Sequence, residues 1–161
     1  MEVFTMADLD SIDLKILRIL QREGRIATTD LAEQVGLSAT PCARRLKRLE
    51  DDGYIRGYHA VLDPKKVGCG LQAFINIRLG DHAEKTVAAF QAALLRRPEV
   101  VAVYAITGNS DYLIHVMAAD LDNLSEFTTR TLLRMPGIRE TQSSIVLSVL
   151  KAETAVPLNA A

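Results

Sequence analysis

The sequence predicts an α+β protein: an N-terminal helix-turn-helix unit with a small wing, followed by a ferredoxin-like βαββαβ unit. Three observations carry this reading. The first third places apolar residues at helical spacing between glycine stops at Gly24, Gly36 and Gly53. The second half alternates period-2 and period-3.6 segments in the order β-α-β-β-α-β. Between them, Asp63-Pro64-Lys65-Lys66 is a polar turn signal. The expected division is a helical unit over 1–62, a linker over 63–70 and a mixed unit over 71–161.

In chain order, Ile12, Ile16, Ile19 and Leu20 form one apolar stripe of a first helix. Asp10 is its expected cap, Asp13 stands at the capping-box position, and Gly24 is its expected end. A short second helix after Thr28 or Thr29 turns Leu31, Ala32 and Val35 inward and stops at Gly36. Ser38 is an N-cap candidate for a third helix. Pro41 lies in its first turn, where a missing N–H costs nothing, and Gly53 closes it after Asp52. Tyr54–Leu62, aromatic and β-branched around Gly57, reads as a small hairpin or wing. Beyond the linker, Leu71, Ala73, Ile75, Ile77 and Leu79 alternate as a strand, and Val87, Phe90 and Leu94 mark a helix ending before Pro98. Strands follow at Val100–Thr107 and Tyr112–Ala118 around the turn Gly108-Asn109-Ser110-Asp111. Leu121, Leu124, Phe127, Thr131 and Leu132 mark a helix ended by Pro136-Gly137, and Ile138–Leu150 is a last, long strand region.

Composition narrows the functions. Of 161 residues, 19 are Lys or Arg and 20 are Asp or Glu, a formal charge of −1 that excludes coating nucleic acid by bulk basicity. A local patch can still hide in a neutral total. No apolar run approaches the roughly 20 residues of a membrane span. Met1–Asp13 lacks the basic start and apolar stretch of a signal peptide, so a cytoplasmic protein with Cys42 and Cys69 reduced is expected. His59, His82 and His115 are scattered, with no HExxH, CxxC or paired-carboxylate spacing. Neither catalysis nor a metal site or cofactor is therefore expected.

The third helix carries the most specific chemistry. At 100° per residue, Cys42, Leu46 and Leu49 share one stripe. Arg44, Arg45, Lys47 and Arg48, with no acid among them from Thr40 to Leu49, are read as projecting away from the core. A solvated, salt-bridged face would also fit. The Gly36-Leu37-Ser38 connection, the prevalence of Arg and the small residues Ser38, Ala39 and Thr40 favour a major-groove helix in double-stranded DNA. Ser38, Thr40, Pro41 and Arg44 are then expected near base edges, and Arg45, Lys47 and Arg48 at phosphates. In the second unit, the turn at 107–112 is either a plain tight hairpin or a small binding loop. Gly108 allows positive φ there, and Asp111 offers a carboxylate beside backbone N–H groups, a pair suited to an α-amino and an α-carboxylate group.

The segments Asp13-Leu14-Lys15-Ile16-Leu17, Gly24-Arg25, Val35-Gly36-Leu37-Ser38, Thr40-Pro41-Cys42, Arg45-Leu46-Lys47-Arg48-Leu49-Glu50 and Gly53-Tyr54-Ile55 resemble the N-terminal domain of the Lrp/AsnC (feast/famine) transcriptional regulators. The resemblance covers nearly the whole chain. It implies a winged helix-turn-helix reader of operator DNA joined to an ACT-like effector domain, in homodimers that assemble further, often into octamers. Thr107-Gly108…Asp111-Tyr112-Leu113 resembles that family's effector signature, which sits at an interface between dimers. Carried over, it makes Gly108, Asp111 and Tyr112 effector-binding candidates, with Gln142 and Ser143 at the start of the last strand. No bulky charged group obviously awaits a polar side chain, which leans toward leucine or methionine. Two other readings are an architectural DNA-wrapping protein with little sequence preference and an ACT-like regulatory subunit of a metabolic enzyme.

Overall fold

The computed structural model describes residues 9–152 and 155–158. They divide into two compact units, Met1–Val61 with Lys151–Ala161, and Leu62–Leu150. The expected linker thus groups with the second unit. The chain's end, expected there too, groups with the first.

The helical unit begins with α1 (Ser11–Leu20). Asp10 caps it, accepting from the Ile12 and Asp13 amides, and Asp13 returns the bond to the Asp10 amide, a complete capping box. The helix ends at Leu20, a turn before Gly24, because Arg22 and Glu23 both donate back to the Ile19 carbonyl and tighten the chain. Ile16 is its most buried residue, while Ile12, Ile19 and Leu20 only flank the core. Helix α2 (Thr28–Val35) buries Leu31, Ala32 and Val35 as expected and starts at Thr28 itself, one or two residues earlier than a helix following Thr28 or Thr29. Helix α3 (Ala39–Asp51) follows from Ser38 and buries Cys42 and Leu49.

The expected wing at 54–62 carries no strand. The arms around Gly57 would be three and five residues, too short for an isolated hairpin to hold itself. Side chains hold the segment instead. Tyr54 and Ile55 pack on the helical core, and the Tyr58 hydroxyl donates to Glu50 Oε1 at 2.9 Å. The returning chain end joins this unit through Leu158, which packs on the same core. Gln21 brackets the Val156 backbone, accepting from its N–H and donating to its carbonyl, and Arg18 donates to the Leu158 carbonyl.

The second unit is the expected βαββαβ order: β1 (Leu71–Leu79), α4 (Glu84–Leu94), β2 (Val100–Ala105), β3 (Tyr112–Ala118), α5 (Leu121–Glu126) and β4 (Ile138–Ile145). The antiparallel sheet runs β2-β3-β1-β4. After α5 the helix widens into a π turn (Phe127–Thr131) and tightens into a 3-10 turn (Leu132–Arg134). The Thr128 and Thr129 hydroxyls donate back to the Leu124 and Ser125 carbonyls, which bends and loosens the ladder there. One sheet face, with Ala73, Ile75, Ile77, Ile114 and Val116, is buried under Phe90, Leu94, Phe127 and Leu132. The other carries Phe74 stacked on His115, centroids 4.6 Å apart. The last strand stops at Ile145, so Leu147, Val149 and Leu150 lie exposed outside it.

Candidate nucleic-acid interface and effector loop

The α2–α3 connection is made by Gly36, whose φ of 77° an L side chain rarely adopts. The Leu37 amide donates to the Ala32 carbonyl, so the chain reverses within one turn and α3 starts at once. Ser38 occupies the N-cap position, but its side chain makes no capping bond. Ser38, Ala39 and Thr40 are all exposed. Cys42 and Leu49 seat the opposite side of the helix with no exposed surface, and burial pushes the Cys42 thiol pKa up, consistent with an inert packing role.

The four cations of α3 do not share one environment. Arg44 is exposed, with no hydrogen bond or ion pair to any described residue. Lys47 meets Asp51 at 3.1 Å in a solvated i,i+4 pair. Arg45, by contrast, turns toward α1. Its Nη1 lies 2.6 Å from Asp10 Oδ2 and 2.9 Å from Asp13 Oδ1. Arg48 pairs with the other Asp13 oxygen. The expectation that all four project away from the core is therefore corrected for Arg45, whose side chain is 27% exposed. At about 60° from Cys42 on the helical wheel it borders the buried stripe. Asp13 is only 1% exposed and is the buried charged residue that both arginines satisfy. Hydrogen bonding from the Asp13 amide, with help from Arg45, holds the Asp10 carboxyl below its ordinary range. The Asp10 bond in turn raises Arg45.

In the second unit the turn between β2 and β3 is exposed at Gly108, whose φ is 112°. Asp111 is already engaged. Its Oδ2 accepts the Leu79 amide at 2.7 Å, its Oδ1 lies 2.9 Å from His82 Nε2, and its amide donates to the Ile77 carbonyl. The His82 hydrogen bond, then the Leu79 N–H, lower the Asp111 carboxyl. Tyr112 belongs to the core. It is buried against Phe90, and its hydroxyl accepts from Gln91 Nε2 at 2.9 Å. Gln142 pairs with Asn76 and Ser143 with Ile75, so the pleat sends them to opposite sheet faces. The five effector candidates thus do not converge on one pocket within the chain. His82 and Gln91, which hold Asp111 and Tyr112, gave no signal beyond their residue types.

A cavity of about 720 Å³ in this unit, lined by Val67, Cys69, Glu99, Phe127 and Arg130, lies at the far ends of β2 and β3 from the turn. In the helical unit, a cavity of about 820 Å³ lies between Leu17, Tyr54, Tyr58 and Leu158. Among the described residues no group of His, Cys, Asp and Glu is placed to hold a metal, and no helix is long and apolar enough to cross a membrane.

Residues 9–56 match the winged helix-turn-helix DNA-binding family, and residues 72–156 match the Lrp/AsnC ligand binding domain. The chain belongs to the Lrp/AsnC family. It is 39% identical to the Bkd operon transcriptional regulator of Pseudomonas aeruginosa over 153 residues, covering 95% of this chain and 100% of that one. It is 38% identical to the leucine-responsive regulatory protein of Salmonella typhimurium over 144 residues, covering 89% and 88%. A transcriptional regulator of Neisseria meningitidis, solved in complex with L-Met, is 44% identical and superimposes with a TM-score of 0.91 over 94% of this chain and 97% of that one. This Lrp/AsnC member is a DNA-binding transcriptional regulator and not an enzyme. A role as an enzyme's regulatory subunit is not favoured by these relatives.

Proposed function

We propose that this regulator reads a specific operator with the N-terminal half of α3 and answers to an amino acid, methionine or leucine. The observation that carries the DNA reading is the exposed run Ser38, Thr40 and Arg44 on a helix whose other side is sealed by Cys42 and Leu49. Ser38, Thr40, Pro41 and Arg44 face base edges, and Lys47 leaves its solvated Asp51 pair for a phosphate. Support for the effector comes from the L-Met complex of the Neisseria relative and from the match to a ligand binding domain.

The effector site is completed between dimers. In one chain Gly108 and Asp111 border an open turn, while Gln142 lies on the open sheet face. That face, with Phe74 and Tyr104, and the exposed Leu147 and Leu150 beyond the last strand supply apolar area for a homodimer that assembles to an octamer. The protein works in the cytoplasm with its DNA.

The test is thermal denaturation with each of the twenty amino acids, beside protection of its own promoter fragment. Stabilisation by methionine or leucine, with a changed DNA footprint, is expected. Arg44→Gln is expected to weaken operator binding by tenfold or more. Unchanged operator binding in that variant would reject the α3 assignment. Equal affinity for unrelated fragments would favour the architectural reading.

A further inference from the structure

Three of the four cations on α3 already have carboxylate partners, and the partners differ in kind. Asp51 is a solvated neighbour one turn along the same helix. Asp10 and Asp13 come from α1, more than thirty residues away in sequence, and are fixed in place by their capping box. Both Asp13 oxygens are taken by guanidinium groups, and Asp13 is buried. Drawing Arg45 and Arg48 out to phosphates would strip that carboxylate of its counter-charges, a larger penalty than a solvated, salt-screened phosphate contact returns.

We propose that Asp10 and Asp13 are specificity-determining residues for DNA recognition: their carboxylates occupy the guanidinium groups of Arg45 and Arg48 and keep them off the phosphate backbone. The inference rests on the reading of α3 as the DNA helix. Phosphate attraction is blind to sequence. An α3 with four available cations would bind any duplex more tightly, raising operator and non-operator affinity alike. With two of them held by α1, the balance shifts to the base-edge contacts of Ser38, Thr40 and Arg44, the contacts that tell sequences apart. The acids thus stand where phosphates would, in a unit whose 9 basic residues up to Leu62 are outnumbered by 10 acidic ones. Asp13 also acts as a positioning residue, since its two arginine bonds tie α3 to α1.

The experiment is a salt titration of binding to the operator and to an unrelated duplex of equal length. Each phosphate contact contributes about 0.9 to the slope of log affinity against log salt. Arg44→Gln tests the underlying reading: weaker operator binding retains α3 as the DNA helix, and no change removes it. Arg45→Gln tests the inference, and is expected to leave the slope unchanged and operator affinity within about twofold, with Asp10 released to solvent and Asp13 kept by Arg48. Asp10→Asn keeps a good N-cap while removing a charge. It is expected to raise affinity for the unrelated duplex by threefold or more, to steepen the slope, and to lower the ratio of operator to non-operator affinity. Asp13→Asn is expected to act in the same direction and more strongly; its melting temperature shows whether it folds, and Asp10→Asn decides the matter where it does not. A slope that falls by about one unit in Arg45→Gln, the mark of a phosphate contact, overturns the inference. So does a specificity ratio unchanged by Asp10→Asn.

Discussion

The two candidate sites of this regulator are assembled on different length scales. The proposed DNA-reading surface lies on one helix, where residues three and four apart are neighbours whatever the rest of the chain does. The effector candidates come from a turn, a core strand position and an edge strand, and their side chains go to different faces. The first kind of site exists as soon as α3 is seated. The second depends on how strands pair and on what covers the open sheet face. The comparison teaches that a helix motif fixes which residues share a face but not which partners their side chains find, whereas a sheet-borne motif does not even fix the face.

The largest expected effect breaks the helical side. Leu49→Ala removes the fully buried side chain that seats α3 and is expected to cost about 2–5 kcal/mol. Urea denaturation would read the loss in the helical unit, and operator binding should go with it. If operator binding survived at full strength, the seat of α3 would not depend on its buried stripe. Next, Asp111→Ala leaves the Leu79 amide without its acceptor, an expected loss of about 1–3 kcal/mol in the sheet unit. Asp111 also gives a pH signature. Its carboxyl is depressed when folded, so its contribution is present above the unfolded carboxyl range near pH ~4 and is lost as pH falls through the folded value. Melting curves from pH 6 down to pH 2 should therefore converge between wild type and Asp111→Asn at the acid end. Parallel curves would mean that Asp111 is not stapled to β1 and His82. Tyr112→Phe is milder still. Losing the Gln91 bond should cost about 0.5–1.5 kcal/mol, with effector affinity unchanged if Tyr112 is a core residue alone.

Element types were readable because each rests on a local pattern. The Leu71–Leu79 alternation and the Asp10/Asp13 capping box came through residue for residue. So did the Gly36 reversal. What was not readable depended on distant partners. Nothing in Arg45-Leu46-Lys47-Arg48 says that two of its cations face Asp13, because the pairing is set by the packing of α1 on α3. Nothing in Tyr112 separates a ligand contact from a core ring until β3 is seen to turn it toward Phe90. Position in the sequence groups the chain end with the sheet unit, yet Val156 and Leu158 are held by Gln21, Arg18 and the helical core. The strandless wing segment at 54–62 has the same cause: β-branched composition identifies residues willing to pair, and a ladder also needs a strand to pair with.

That segment supplies the gentlest test of the contrast between local and long-range structure. If 54–62 is pinned by side chains and not by a ladder, Tyr58 is the pin, with its ring against Gly24 and its hydroxyl on Glu50. Burial, then the hydrogen bond to Glu50, push the Tyr58 phenol up to about 12. The sign follows directly. A group whose folded pKa is raised contributes stability that is complete below the unfolded value near pH ~10 and disappears as pH climbs through the folded value. The helical unit should thus weaken above pH ~10 in a step that Tyr58→Phe lacks. A pH-jump absorbance titration at a tyrosinate wavelength reads the group before the chain unfolds. The late step that belongs to Tyr58 should vanish in Tyr58→Phe and move earlier in Glu50→Gln. Should Tyr58 ionise at its ordinary value, its phenol would not be held on Glu50 in solution, and Tyr54 and Ile55 would remain to tie the segment to the helical core.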